Sequence, residues 1–129
     1  KEEGTPGSTL GRLRDGKIQT VSTDHCSFTV ERKNMGKDDF TRIPNGMPGV
    51  ETRAVLLYTY GVGSGRLTPQ QMCRLLSENP AKLYGLYPEK GCIIEGSDAD
   101  IAVLDPEGED IITARTQEQN VDYAIFTCF

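Results

Sequence analysis

The sequence predicts an α/β fold, because a strand, a set of helices and a second β-segment follow one another along one chain. Residues 18–23 are rich in β-branched side chains, which favour an extended strand. Apolar residues then recur at helical spacing between residues 49 and 85. From Cys92 onward the apolar pattern has a period of two, which indicates short strands. A chain of 129 residues is long enough for one compact domain.

Composition and charge argue against two classes of partner. The formal net charge is −5, and the sequence contains no cluster of Lys and Arg that could neutralise a phosphate backbone. We therefore expect no nucleic-acid partner. No apolar run approaches the roughly 20 residues that cross a bilayer, so we expect no membrane partner. Residues 1–7 (KEEGTPG) do not have the pattern of a signal peptide, and we expect a cytoplasmic protein.

The four cysteines are far apart in the sequence, at Cys26, Cys73, Cys92 and Cys128. They include no Cys-x-x-Cys pair that would hold a structural metal, and they do not form the dense framework of a small secreted fold. We therefore expect reduced and mostly buried thiols.

The N-terminal third combines two irregular stretches with the first two ordered elements. Residues 1–9 mix charge with Gly, Pro, Ser and Thr and predict a loop. A short helical turn containing Leu10 and Leu13 follows and stops at a glycine. The strand at 18–23 then delivers Asp24 at its C-terminal end. Residues 31–49 are charged and rich in Gly and Pro, which predicts a long surface loop.

Helical spacing predicts a helix over about residues 49–60, with Pro48 suited to its first turn. The glycine-rich stretch 61–65 ends it. A phosphate-binding loop is the alternative for this stretch, but it follows a helix and lacks the Gly-Lys-Ser/Thr ending, so a flexible helix–helix connection is favoured.

Two further helix starts are marked by capping residues. Thr68 and Gln71, on either side of a first-turn proline, predict a capping box, and the apolar face that follows contains Met72, Leu75 and Leu76. Asn79 is predicted to cap a short helix that stops at Gly85.

The C-terminal part predicts three short strands, at residues 93–94, 101–104 and 111–113. Turns at 96–98 and 105–108 separate them. The acidic stretches at 38–39 and 107–110 lack the spacing of a calcium loop, so we interpret them as solvated charge.

A lone strand has no sheet to join, which suggests that the chain is part of a larger fold. Six segments resemble, in order, the end of the hydantoinase/dihydropyrimidinase family within the amidohydrolase superfamily: 23–28 (TDHCSF), 36–40 (GKDDF), 43–46 (IPNG), 48–53 (PGVETR), 79–82 (NPAK) and 96–101 (GSDADI). The last segment is shared across the superfamily, whereas the first three are more specific. The resemblance extends over nearly the whole sequence from about residue 10.

The resemblance implies a (β/α)8 barrel that carries two divalent metals, usually zinc, at the C-terminal ends of its strands. Residues 1–90 would be the last strand, substrate loop and C-terminal helices of that barrel. Residues 91–129 would be part of a small β-sandwich domain. The resemblance also implies a homotetrameric parent and a small cyclic imide or ureide as its substrate.

Two residues match functional positions of the family. Asp24 falls on the aspartate at the end of the last barrel strand, which implies that it ligates a metal and takes the proton of the attacking hydroxide. Asn45 falls on the asparagine whose backbone groups hold the cyclic substrate. Without the resemblance, Asp24 beside His25 would be interpreted as a capping or turn pair.

His25 is the only histidine of the sequence, so the other metal ligands of the family, four histidines and a carboxylated lysine, are not among these residues. We interpret His25 itself as a packing or hydrogen-bonding residue. We expect the chain alone to bind no metal and to be inactive. Two alternatives remain. One is a non-catalytic adaptor related to dihydropyrimidinase. The other is a truncation product, because residues 125–129 depart from the family pattern.

Overall fold

The computed structural model describes residues 6–126. Its helical elements, in sequence order, are α1 (Pro6–Arg14), α2 (Val30–Asn34), a 3-10 turn (Phe40–Arg42), α3 (Arg53–Leu57), a π-helical turn (Tyr58–Val62), α4 (Pro69–Cys73), a second π-helical turn (Arg74–Glu78) and α5 (Asn79–Leu83). None of the helices in this range is long and apolar enough to span a bilayer. The chain divides into two compact units.

The first unit contains the residues up to Ser22 together with Ala54–Val103. Its core is formed by four buried leucines, with further apolar side chains packed around them: Leu13, Leu57, Leu67 and Leu75, surrounded by Leu10, Ile18, Val21, Val62, Met72 and Leu76. Each buried leucine contributes about 1.5–3 kcal/mol by removal from water. The predicted apolar face after the capping box is therefore confirmed as core.

The start and end of α1 differ in how well they match the prediction. Gly16 follows the helix with φ +71, the left-handed conformation that glycine adopts without a steric penalty, so the predicted glycine stop is confirmed. The predicted loop over residues 1–9 is wrong for residues 6–9, which are helical. Packing of the leucines of α1 onto the core explains the helix. Residues 1–5 lie outside the described range.

The predicted capping box at the start of α4 is confirmed. The side chain of Thr68 accepts a hydrogen bond from the Gln71 N–H at 3.1 Å, and the side chain of Gln71 accepts one from the Thr68 N–H at 2.8 Å. Gln71 also donates to the Arg14 carbonyl at 3.0 Å, which ties α4 to the end of α1.

The helix predicted over residues 49–60 begins later and ends later than expected. It starts at Arg53, after a turn in which the Arg53 N–H donates to the Gly49 carbonyl, and Pro48 is buried ahead of it instead of in its first turn. The helix continues as a π-helical turn to Val62. The predicted stop at residues 61–65 therefore comes two residues too early, and Gly65, with φ +72, lies within the connection to α4.

The prediction that Asn79 caps a helix is wrong. Asn79 has helical dihedrals, φ −66 and ψ −43, because the backbone is already helical through Glu78. Its side chain instead donates to the Gln19 carbonyl at 2.7 Å. The stop at Gly85 is confirmed, with φ +71.

The predicted strand at 18–23 is not paired with another strand in the part of the protein that the structure describes. Two of its backbone groups bond to helical residues, since the Val21 N–H donates to the Leu75 carbonyl at 3.2 Å and Gln19 accepts from Asn79. A β-ladder needs a neighbouring strand, and within residues 6–126 the β-pairing is one isolated parallel bridge between His25 and Met47.

The three predicted C-terminal strands are likewise not paired within the described range. Their apolar side chains lie largely in solvent: Ile93 is 86% and Val103 is 93% exposed. The turns predicted between them are present, because the Ser97 N–H donates to the Ile94 carbonyl and the Gly108 N–H donates to the Asp105 carbonyl. The turns were therefore predicted correctly, whereas the period-two pattern did not give paired strands within residues 6–126.

The second unit contains Thr23–Arg53 and the residues from Leu104 onward. The long loop predicted over 31–49 is wrong in two places, since most of α2 and the whole 3-10 turn lie within it. The side chain of Thr29 accepts from the Arg32 N–H at 3.4 Å, and Asp122 accepts from the Val30 N–H at 2.8 Å, so the start of α2 is capped twice.

Glu51 and His25 bind backbone amides in the same unit. The Glu51 carboxylate accepts from the N–H groups of Glu118 and Gln119 at 3.0 and 3.2 Å. The Nδ1 atom of His25 accepts from the N–H groups of Gly49 and Val50 at 3.1 and 3.3 Å. The hydrogen-bonding interpretation of His25 is confirmed.

The cysteines match the prediction in oxidation state but not in burial. Cys26, Cys73 and Cys92 are free thiols, yet Cys73 is exposed and the other two are only partly buried. Cys128 lies outside the described range.

We expect Thr68→Ala to destabilise the protein by about 1 kcal/mol, because it leaves the Gln71 N–H without its capping acceptor. Thr68→Ser keeps the acceptor oxygen and should lose much less. Urea unfolding followed by circular dichroism compares the two variants. Equal losses would show that the capping box adds nothing to stability.

We expect His25→Phe to cost about 1–3 kcal/mol, since two amides lose their acceptor. His25→Asn is the matched control, because its side-chain oxygen can occupy the position of Nδ1. Amide hydrogen exchange at Gly49 and Val50 should accelerate in His25→Phe and change little in His25→Asn. Equal exchange in both variants would contradict the role of the imidazole.

Candidate functional site

Asp24 occupies a strained position at the end of the extended segment 18–23. Its φ is +46, in the left-handed region, and the described residues contain no other non-glycine residue there. Asp and Asn tolerate this region better than other side chains, and such positions cost about 1–3 kcal/mol and cluster at functional sites. The residue is exposed to solvent. The structure therefore presents one accessible carboxylate on a backbone held in an unusual conformation.

The segment that contains Asp24 runs beside the segment that contains Asn45. His25 and Met47 form a parallel bridge, and the Cys26 N–H donates to the Met47 carbonyl at 3.1 Å. The two predicted site residues are 21 positions apart in the sequence, yet each is next to this pairing. The structure thus brings the Asp24 and Asn45 segments together.

Gly46 permits the close approach of the two segments. A Cβ atom at this position would lie 2.5 Å from the Cys26 Sγ and 3.5 Å from the Asp24 carbonyl oxygen, and the φ of Gly46 is +89. Any larger residue would clash with Cys26 and would strain the backbone as well. The small residue after Asn45 is therefore a packing requirement of the site.

Asn45 is exposed, and the loop around it is held from α2. The Lys33 ammonium donates to the carbonyl of Pro44, which precedes Asn45, and to the carbonyl of Gly46, which follows it. The sequence did not reveal Lys33, because its partners are backbone carbonyls that leave no residue-type signal. It also lies in a stretch that was predicted to be an irregular loop.

The acidic pair at 38–39 takes part in local structure. Asp39 accepts hydrogen bonds from the Thr41 N–H at 3.0 Å and the Thr41 hydroxyl at 2.7 Å. These bonds hold the pKa of the Asp39 carboxyl below its usual range. Asp39 therefore caps the 3-10 turn.

The superfamily-level segment 96–101 is held by ion pairs in the first unit. Lys90 donates to Asp98 at 2.9 Å and also bonds to Asp100. The hydrogen bonds to Asp100 and Asp98 raise the pKa of Lys90 above its usual range. The described contacts give the two aspartates a role in holding this loop.

A metal centre needs more ligands than this part of the protein brings together. Across residues 6–126, no group of three His, Cys, Asp or Glu side chains is arranged to hold a metal ion. A zinc site takes at least three protein ligands, and Asp24 can supply one of them. Nδ1 of His25, the only histidine, already accepts hydrogen bonds from the backbone. These residues alone therefore do not fit a two-metal centre.

The chain is similar in sequence to bacterial hydantoinases. It is 45% identical over 120 residues to the D-phenylhydantoinase of Escherichia coli strain K12 / DH10B, and to the same extent to that of strain SE11. The match covers 90% of this chain and 26% of each relative. The chain thus spans about a quarter of the length of these relatives.

Solved structures of hydantoinases and of a dihydropyrimidinase match the backbone of this chain. The chain matches a D-hydantoinase (dihydropyrimidinase) from Thermus sp. with a TM-score of 0.89 and 49% identity, covering 92% of this chain and 26% of that one. A dihydropyrimidinase from Brevibacillus agri matches with a TM-score of 0.90 and 40% identity, covering 95% and 27%. An L-hydantoinase from Arthrobacter aurescens matches less fully, with a TM-score of 0.64 and 39% identity over 71% and 20%.

These matches confirm the resemblance to hydantoinases that the six sequence segments indicated. They extend over nearly all of the sequence, so the similarity does not rest on one short motif. The sequence profile of the amidohydrolase family matches residues 9–127. The chain belongs to the amidohydrolase family.

Proposed function

We propose that this chain is the C-terminal part of a metal-dependent hydrolase that opens the cyclic amide bond of hydantoins or dihydropyrimidines. The observation that carries the proposal is the parallel pairing of residues 25 and 47, which sets Asp24 and Asn45 on neighbouring segments. The similarity to proteins named D-phenylhydantoinase and dihydropyrimidinase supports the choice of substrate class.

Asp24 is the proposed metal ligand and proton acceptor. A carboxylate offers oxygen atoms to a divalent metal and can accept a proton from water that attacks an amide carbon. Divalent metals, two zinc ions in our proposal, would polarise the amide carbonyl and activate that water. The strained conformation of Asp24 supports the assignment, because such strain is retained where a side chain must be held in one place.

Asn45 is the proposed substrate-binding residue. A cyclic amide presents a planar N–H and C=O, which an exposed backbone carbonyl and N–H can pair with. Within the described residues, the backbone groups of Asn45 make no hydrogen bond, and the residue is exposed to solvent. Pairing of this kind orients the ring without using a charge.

The remaining parts of the site would come from residues outside this chain. The chain spans about a quarter of its relatives and has one histidine, so the proposed histidine and carboxylated-lysine ligands belong to the longer protein. In the proposal, residues 1–90 contribute to the barrel and 91–129 to the β-sandwich of a cytoplasmic homotetramer. The isolated chain then binds no metal and shows no turnover, even with added zinc.

We expect Asp24→Asn to lower kcat/KM for a hydantoin or dihydropyrimidine by at least about 100-fold in a longer protein that includes a His-x-His segment, because a ligand and proton acceptor is lost. Metal content should also fall. Asn is chosen because it tolerates the left-handed conformation as Asp does, so the change removes charge with little change in backbone strain.

The matched control is Asp38→Asn, which removes the same charge from an exposed loop residue of the same unit. It should leave both kcat/KM and metal content unchanged. Full activity and full metal content in Asp24→Asn would refute the assignment of Asp24. An absence of cyclic-amide hydrolysis in the unsubstituted longer protein would refute the proposed function itself.

A further inference from the structure

The Asn45 loop is clamped by a single side chain. Lys33, on α2, is partly buried, and its ammonium donates to the Pro44 carbonyl at 2.5 Å and to the Gly46 carbonyl. An ammonium group has three donors, so one atom can hold two carbonyls and retain a third donor. Bonds from a charged donor are about twice as strong as neutral ones. The two carbonyls are those immediately before and after Asn45.

These two bonds determine how the backbone of Asn45 is presented. The Pro44 carbonyl and the Asn45 N–H belong to one planar trans peptide unit, in which they point in opposite directions. Because Lys33 holds that carbonyl, the Asn45 N–H is directed away from Lys33. The second bond fixes the peptide unit that contains the Gly46 carbonyl. The Asn45 carbonyl belongs to the peptide unit between these two fixed units.

Lys33 is itself held in place by its surroundings. The start of α2 is capped by Thr29 and by Asp122, which accept from the Arg32 and Val30 N–H groups. The Lys33 ammonium lies 5.5 Å from the centre of the Phe28 ring, within the range of a cation–π contact. The clamp is therefore anchored at both the helix and the ammonium group.

We propose that Lys33 is a positioning residue for the substrate, acting through the backbone of Asn45. This inference rests on the proposed function of Asn45 and names the residue that keeps its N–H and C=O in the orientation that a cyclic amide needs. Lys33 does not touch the substrate. Its loss weakens substrate binding and leaves the metal ligands in place.

The test compares two variants. Lys33→Met keeps the length of the side chain but removes the charge and the donors, whereas Lys33→Arg keeps the charge and the donors. In the longer protein, Lys33→Met should raise KM for a hydantoin or dihydropyrimidine about tenfold or more, with a change in kcat of less than about threefold and unchanged metal content. Lys33→Arg should restore KM to within about threefold of the unsubstituted protein. Lys37→Met, which alters an exposed lysine of the same unit, should have no effect.

Hydrogen exchange on the 129-residue chain tests the clamp without any assay of activity. Lys33→Met should accelerate exchange of the Cys26 amide, which bonds to the carbonyl of Met47 beside the clamped Gly46, and leave the Leu67 amide, which bonds to Gly61, unchanged. Unchanged exchange at Cys26 would overturn the clamp. Faster exchange together with an unchanged KM would overturn the positioning role while the proposed function stands. No hydrolysis by the unsubstituted longer protein would overturn both proposals, even if exchange still showed the clamp.

Discussion

The pairing of residues 24–26 with residues 46–50 is the constraint on which the candidate site depends. It consists of the parallel bridge between His25 and Met47, the Cys26 N–H bond to Met47, and the two backbone amides that donate to the His25 imidazole. These are few bonds for a contact that joins distant parts of the sequence. The His25 imidazole and the glycine at position 46 both support it, because Nδ1 accepts two amides of the second segment and a Cβ at position 46 would meet Cys26.

The site combines a strained residue with strongly held neighbours. Asp24 lies in the left-handed region, which destabilises the fold locally, whereas the Asn45 loop is fixed by two charge-assisted bonds from Lys33. A rigid loop presents its backbone groups to a ligand without a further loss of entropy on binding. The stabilising contacts thus surround the exposed groups, and the groups available to a ligand are Asp24 and Asn45.

The parts of the fold that could be predicted from sequence are those determined by neighbouring residues. The capping box of Thr68 and Gln71, and the glycine stops at Gly16 and Gly85, depend only on residues a few positions away. The strands failed because a ladder requires a partner, and residues 6–126 contain one isolated bridge. Helix α2 was missed because one of its caps, Asp122, lies 92 positions from the amide it binds.

The residues of the candidate site also differ in whether the sequence reveals them. Asp24 and Asn45 were identified from the resemblance of short segments to a family, and neither their adjacency nor the strain at Asp24 could be obtained from their spacing. Lys33 binds carbonyls, which every residue has, so no pattern of side chains marks it. The histidine count indicates that the implied two-metal centre requires ligands from outside these residues.

The most direct test of the central claim is a crystal structure of the longer protein with bound zinc, located by anomalous scattering. We predict a carboxylate oxygen of Asp24 at about 2.0–2.2 Å from a zinc ion, with the residue still in the left-handed region and residues 25 and 47 still paired. A complete zinc centre in which Asp24 is not a ligand would contradict this assignment.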